Sequence, residues 1–266
     1  MDMGVKQIEV MEEMNAGNCA VLERQLTDAA ADESVVVIVL KGRMGIFCRG
    51  LEFGSLFNID EGTGEKDSGC DTLPVAQAFA NLLKTILSLP KPLIAEVDGE
   101  ARGGGVGLAA ACDAVVASKR ASFGLPETLF GLVPAIIMPV LLQRMMPQQF
   151  RLLALRGRSV DARQAQSLGL VDIVAEGEDL SITVAGLARE LGRPDPRAVL
   201  LLKQYMQEQM ECFIAPLLNR GARLTASLLR QRRNVEVIKA FVSDGILPGR
   251  CLEMNEPSHK ERREKE

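Results

Sequence analysis

The stretch EARGGGVGLAAACDAVVASKRASFGLPETLFGLVP, Glu100 to Pro134, sets three consecutive glycines before an apolar segment and an isolated acid in a turn, Glu127, 22 residues beyond Gly105. Glycines ahead of a helix either let a ligand approach the backbone or allow packing that a side chain would forbid. Gly103 to Gly107 does not fit the dinucleotide fingerprint, because Leu108 stands where its third glycine belongs, and no GxxxxGK[ST] occurs in the chain. What remains is a set of exposed amides at the start of a helix expected over Gly105 to Cys112, with the helix dipole adding positive potential. Such a place suits an anionic oxygen, including one that exists only during a reaction. A second loop of this kind, GIFCRGLEF from Gly45 to Phe53, has Gly50 opening the backbone beside Leu51. Taken singly, each glycine loop also reads as a tight turn.

Outward from this stretch, β-branched runs predict strands at Val5 to Val10, Val35 to Leu40, Leu93 to Val97, Ala114 to Ala117 and Val171 to Val174. Helical spacing falls between them, over Cys19 to Ala31 and Leu73 to Leu87, where Pro90 and Pro92 end it. Strands alternating with helices imply an α/β fold of mostly parallel strands. The polar segment Asn58 to Asp71 reads as a mobile loop, a candidate lid. Asp161 with Gln164 forms a capping box, and Gly169 stops the helix that follows. From Ile182 onward the pattern is helical with breaks at GRPDP and near Pro216. The chain thus divides into a core over 1–180, a helical part over 181–250 and a charged, disordered tail over 251–266.

Composition narrows the function. With 47% hydrophobic and 25% charged residues the 266-residue chain is an ordinary globular protein. A net charge of −4 and few aromatics exclude a nucleic-acid surface, and no apolar run is long enough for a membrane span. Without a secretory signal, a cytoplasmic location is expected. Cys19, Cys48, Cys70, Cys112, Cys212 and Cys251 show no metal spacing and read as buried thiols. The only histidine, His259, lies in the tail, which leaves no Ser-His or Cys-His pair in the core.

The segments FCRGLEF, KPLIAEVDGEARGGGVGLAAACDAVVAS, ASFGLPETLFGLVP and SVDARQAQSLGLVD, in their order and spacing, resemble the enoyl-CoA hydratase (crotonase) superfamily over Val5 to Ala175. The resemblance implies a crotonase-like spiral of ββα units with a C-terminal helical trimerisation subdomain, assembled as a trimer or a dimer of trimers. It implies that the Leu51 and Gly104 amides form an oxyanion hole for a thioester carbonyl. Ordinary hydratases of the family carry one glutamate in the helix after the glycine run and another in the FGxPE turn. Here Gly107 stands at the first position and Glu127 at the second. Asp113, at a helix-to-strand junction, reads as structural.

One carboxylate still suffices for a syn elimination or for moving a proton between the α and γ carbons. The finer wording from Glu96 to Leu142, together with FCRGLEF from Phe47 to Phe53 and a shortened N-terminus lacking the family's usual first strand, is similar to the hydratase-like proteins of polyketide β-branching cassettes. Those dehydrate 3-hydroxy-3-methylglutaryl on an acyl carrier protein to 3-methylglutaconyl. The resemblance therefore implies no cofactor beyond the phosphopantetheine or CoA that carries the substrate. Arg102, Arg49 and Lys84 are candidates to face the substrate's carboxylate, while Gly103 and Gly105 bind substrate at the thioester oxygen. An acidic carrier protein is expected to dock near Lys41, Arg43 and Arg49, or on the basic segment Arg220 to Arg233, which also reads as a solvated face. Two alternatives stay open: a single-glutamate isomerase or hydratase of acyl-CoA thioesters, and a non-catalytic scaffold of the same fold.

Overall fold

The computed structural model describes residues 4–56, 72–175, 179–245 and 248. The expected lid Asn58 to Asp71 and the tail with His259 lie outside them. The elements run β1 (Val5–Glu9), α1 (Ala16–Ala31), β2 (Val37–Lys41), β3 (Ile46–Cys48), α2 (Phe53–Leu56), α3 (Thr72–Ser88), β4 (Leu93–Val97), β5 (Glu100–Arg102), α4 (Gly104–Ala111), β6 (Ala114–Ala117) and β7 (Ser122–Gly124). A 3-10 turn, Glu127–Phe130, leads to α5 (Met138–Leu141), α6 (Pro147–Arg156), β8 (Ser159–Asp161), α7 (Ala162–Ser167), β9 (Ile173–Val174), α8 (Leu180–Leu191), α9 (Pro196–Leu229) and α10 (Arg232–Asp244).

Five strands form a parallel sheet in the order β1-β2-β4-β6-β9, and all five coincide with runs legible in the sequence. In β2, β4 and β6 apolar residues do not alternate with polar ones because both faces are covered, whereas in the edge strand β1 only Ile8 is buried. Ile38, Leu40 and Val115 join the main core, while Val37, Val39, Ile94 and Val116 pack under Leu180, Val184 and Ala188 of α8.

A second sheet, β3-β5-β7-β8, consists of strands only three residues long. No periodicity can show in so short a run, so the sequence does not announce it. Each of β2, β4 and β6 passes directly into a strand of this second sheet, which is the ββα spiral. The three loops after β3, β5 and β7 carry Leu51, Gly103 and Glu127 respectively, so one edge of the small sheet gathers them.

The Asp113 carboxylate accepts from the Leu93 amide at 2.8 Å and from Lys203, a joint between β4, β6 and α9. Cys19, Cys48 and Cys112 are buried thiols, pushed up to about 12 by burial, whereas Cys212 is exposed. The expected break near Pro216 is absent: α9 runs unbroken through it, with Leu218, Ala222 and Ala226 in the core. Burial of that face outweighs the one hydrogen bond that proline removes. Among the described residues no helix is long and apolar enough to cross a membrane.

The capping box is present, Gln164 N donating to Asp161 Oδ1 at 2.8 Å and the Gln164 side chain accepting from Asp161 N at 3.2 Å. Asp161→Ala is expected to lower unfolding free energy by about 1 kcal/mol, read from the urea midpoint at unchanged slope.

Candidate active site

Backbone approaches that only glycine permits build the floor of the site. A Cβ on Gly105 would stand 1.9 Å from the Cys48 carbonyl oxygen, and one on Gly50 would stand 2.8 Å from the Gly104 nitrogen. Gly50 and Gly103 also adopt φ of +89° and +49°, which side chains disfavour. The loop after β3 is thereby pressed against the first turn of α4. Neither the Leu51 nor the Gly104 amide donates to a protein acceptor among the described residues. Gly104 N opens the helix, where no intrahelical partner exists.

Glu127 enters from the 3-10 turn after β7. A Cβ on Gly103 would lie 3.1 Å from Glu127 Oε1, so the carboxylate sits directly over the glycine run. The turn is held by Thr128 Oγ1 donating to Ala154 O at 2.7 Å and by Asn234 Nδ2 donating to Gly131 O at 3.1 Å. Phe130 packs between Phe53 and Phe241, tilted to the first and edge-on to the second, with ring centroids 5.9 and 5.0 Å away. Glu127 keeps some surface, yet its Oε2 is enclosed and has no hydrogen-bond partner. Burial pushes the carboxyl up to about 7, against a smaller downward pull from its own backbone amide.

Leu51, Gly103, Gly104 and Glu127 line one cavity of about 70 Å³, with Arg49 and Thr225 the other polar residues at its wall. The rest is apolar, dominated by the run Leu132 to Ile137 with Phe53 and Phe79. At Gly107, one turn along α4 from Gly104, a Cβ would fall 2.1 Å from Ile137 Cγ2. The space over Gly107 is therefore filled by an isoleucine.

The other expected site residues are placed differently. Arg102 donates to the carbonyls of Ala101 at 3.0 Å and Ser122 at 2.8 Å and to Ser122 Oγ, which ties it to β7 outside the cavity wall. Lys84 lines a separate cavity of about 500 Å³ and donates to Asn219 Oδ1 at 2.6 Å. Gly105 serves packing against Cys48. Of the expected cations only Arg49 reaches the Glu127 cavity, where it pairs with Glu12 and, at 3.4 Å, with Glu100. Lys41 donates to Gln7, and Arg43 faces Glu9 at 3.8 Å, while Arg220, Arg223, Arg230 and Arg233 are exposed. Thr225, Phe79 and Ile137 escaped the sequence reading because they come from helices and loops with no motif of their own. No cluster of potential metal ligands exists among the described residues.

This arrangement can accept and return a proton beside an oxygen held by two amides. Gly105→Ala is expected to push α4 off β3, costing about 3 kcal/mol of stability and most turnover, measured by chemical denaturation and by kcat. Glu127 binds its proton more tightly folded than unfolded, so its contribution to stability is full below about pH 4.5 and is lost as pH rises through about 7. Glu127→Gln is expected to remove that dependence and to gain stability over the wild type above about pH 7. The wild-type kcat/KM is expected to rise with pH through the same value.

The model of the enoyl-CoA hydratase/isomerase family matches residues 3–245. The chain is 34% identical over 236 residues to a 2,3-dehydroadipyl-CoA hydratase of Escherichia coli, covering 86% of this chain and 87% of that protein. It is 28% identical over 182 residues to the bacillaene synthase dehydratase of Bacillus subtilis, covering 68% and 67%. An enoyl-CoA hydratase structure from Mycobacterium avium superposes with a TM-score of 0.75 at 28% identity, over 90% of this chain and 91% of that one. With a crotonase spiral and a single carboxylate over the amides at the start of α4, the chain belongs to the enoyl-CoA hydratase/isomerase family.

Proposed function

We propose that the protein is a dehydratase that removes water from 3-hydroxy-3-methylglutaryl on an acyl carrier protein, leaving 3-methylglutaconyl on the carrier. The observation that carries this reading is Glu127: one carboxyl whose enclosed Oε2 has no partner, beside two free amides, with no second acid in the cavity wall. The likeness to the bacillaene synthase dehydratase supports the choice among reactions of the family.

In this mechanism the Leu51 and Gly104 amides hold the thioester oxygen. The Glu127 carboxylate removes the α-proton, and the electron pair moves onto that oxygen as an enolate. The enolate re-forms the thioester carbonyl, the double bond forms between the α and β carbons, and the β-hydroxyl departs with the proton that Glu127 returns. Water is released and the carboxylate is regenerated. A carboxyl near 7 can do both halves at neutral pH, since it is neither a feeble base nor an unwilling acid. Each amide is worth about 3 kcal/mol of barrier. Arg49, at the cavity wall with 44% of its side chain exposed, is the cation for the substrate's distal carboxylate. No cofactor is required, since the thioester itself supplies the electron sink. A homotrimer or hexamer is the assembly proposed for the chain.

The test is mass spectrometry of the acyl group after incubation with hydroxymethylglutaryl carrier protein, crotonyl-CoA and a 3-enoyl-CoA in parallel. Loss of one water from the first, abolished at least about a hundredfold in Glu127→Gln, is the expected result. Isomerisation of the 3-enoyl thioester without dehydration makes the protein an isomerase, and inertness toward all three makes it a scaffold.

A further inference from the structure

In a site with two carboxylates, the position now held by Gly107 would point a polar group at the substrate. Here it is doubly closed: no side chain leaves α4, and the Cγ2 of Ile137 stands 2.1 Å from where a Cβ would be. Ile137 also lines the Glu127 cavity and is itself almost wholly buried, 2% exposed. Its neighbours in the wall, Leu132 to Ile136, are apolar as well. The wall facing Gly107 is thus wholly apolar.

The position of that surface relative to the reacting atoms follows from helix geometry. Gly107 is three residues beyond Gly104, on the same face of α4 and about 4.5 Å along its axis. The Gly104 amide holds the oxygen on the thioester carbon, and the β-carbon is two carbon–carbon bonds further along the acyl chain. Ile137 lines the same cavity as Gly104 and Glu127, which sets it against the β-carbon and what it bears. An unbranched 3-hydroxyacyl chain has only hydrogen there, which leaves a gap against Ile137. A tertiary β-carbon carries one methyl more, and a methyl against a buried isoleucine replaces that gap with contact.

We propose that Ile137 is a specificity-determining residue that receives the branch methyl on the β-carbon of the substrate. This rests on the dehydratase reading above and adds the residue that tells β-branched 3-hydroxyacyl thioesters from unbranched ones. The loss of the helix carboxylate at Gly107 and the filling of its space by Ile137 are then one adaptation: the polar group is exchanged for a seat for carbon.

The experiment compares kcat/KM for two substrates that differ only in the methyl, 3-hydroxy-3-methylglutaryl and 3-hydroxyglutaryl, each loaded on the same acyl carrier protein. The wild type is expected to favour the branched substrate by roughly 10- to 200-fold. Ile137→Val should keep part of that preference and Ile137→Ala should bring the ratio close to one. A loss of folded protein lowers both rates together and leaves the ratio where it was, so the ratio separates recognition from stability. Equal use of the two substrates by the wild type overturns the proposal, as does an undiminished ratio in Ile137→Ala. Should the wild type dehydrate neither substrate yet isomerise a 3-enoyl thioester, the dehydratase reading itself falls and the proposal with it.

Discussion

The site depends on one backbone contact, the first turn of α4 against the loop that follows β3. With the Gly105 Cβ position only 1.9 Å from the Cys48 carbonyl and the Gly50 Cβ position 2.8 Å from Gly104 N, the two segments meet as bare peptide. Two amides from different ββα units are thereby brought to one place, and neither has a protein acceptor to turn to. Loops at the ends of parallel strands are where such donors can converge, because the strands beneath them set their spacing.

Over that floor the fold keeps a carboxyl that burial disfavours. Enclosure leaves Oε2 without a partner and raises the proton affinity of Glu127, which weakens the folded state at neutral pH. The surrounding contacts hold it there regardless: Thr128 to Ala154, Asn234 to Gly131 and the three phenylalanines around the turn. Helices α6 and α10, with α2, thus act on the chemistry by fixing one 3-10 turn. A flexible turn would let the carboxylate swing to water and lose the affinity that makes it both base and acid.

Legibility in the sequence followed the length and locality of each signal. The five strands of the large sheet could be read because each carries β-branched or apolar residues between turn signals, and the central ones, β2, β4 and β6, are buried on both faces. The small sheet could not, since three residues carry no period, yet this sheet places Leu51, Gly103 and Glu127. The capping box at Asp161 was legible because a cap is a contact between near neighbours, whereas Pro216 misled because tertiary burial overrode a local preference. Among the candidate cations the sequence had no means of choosing: Lys84 is on the helix facing another cavity, and Arg102 is spent on the Ser122 carbonyl.

The sequence by itself determined the glycine run, the lone acid in the FGLPE turn and the absence of an acid at Gly107, because residue identity at a spacing is a local property. Only the tertiary structure decided that the lone acid is enclosed with a raised proton affinity, that Arg49 rather than Arg102 or Lys84 lines its cavity, and that Ile137 occupies the space over Gly107. Those outcomes depend on segments distant in the chain meeting in one small volume, and what a buried group does there is set by the neighbours packing supplies.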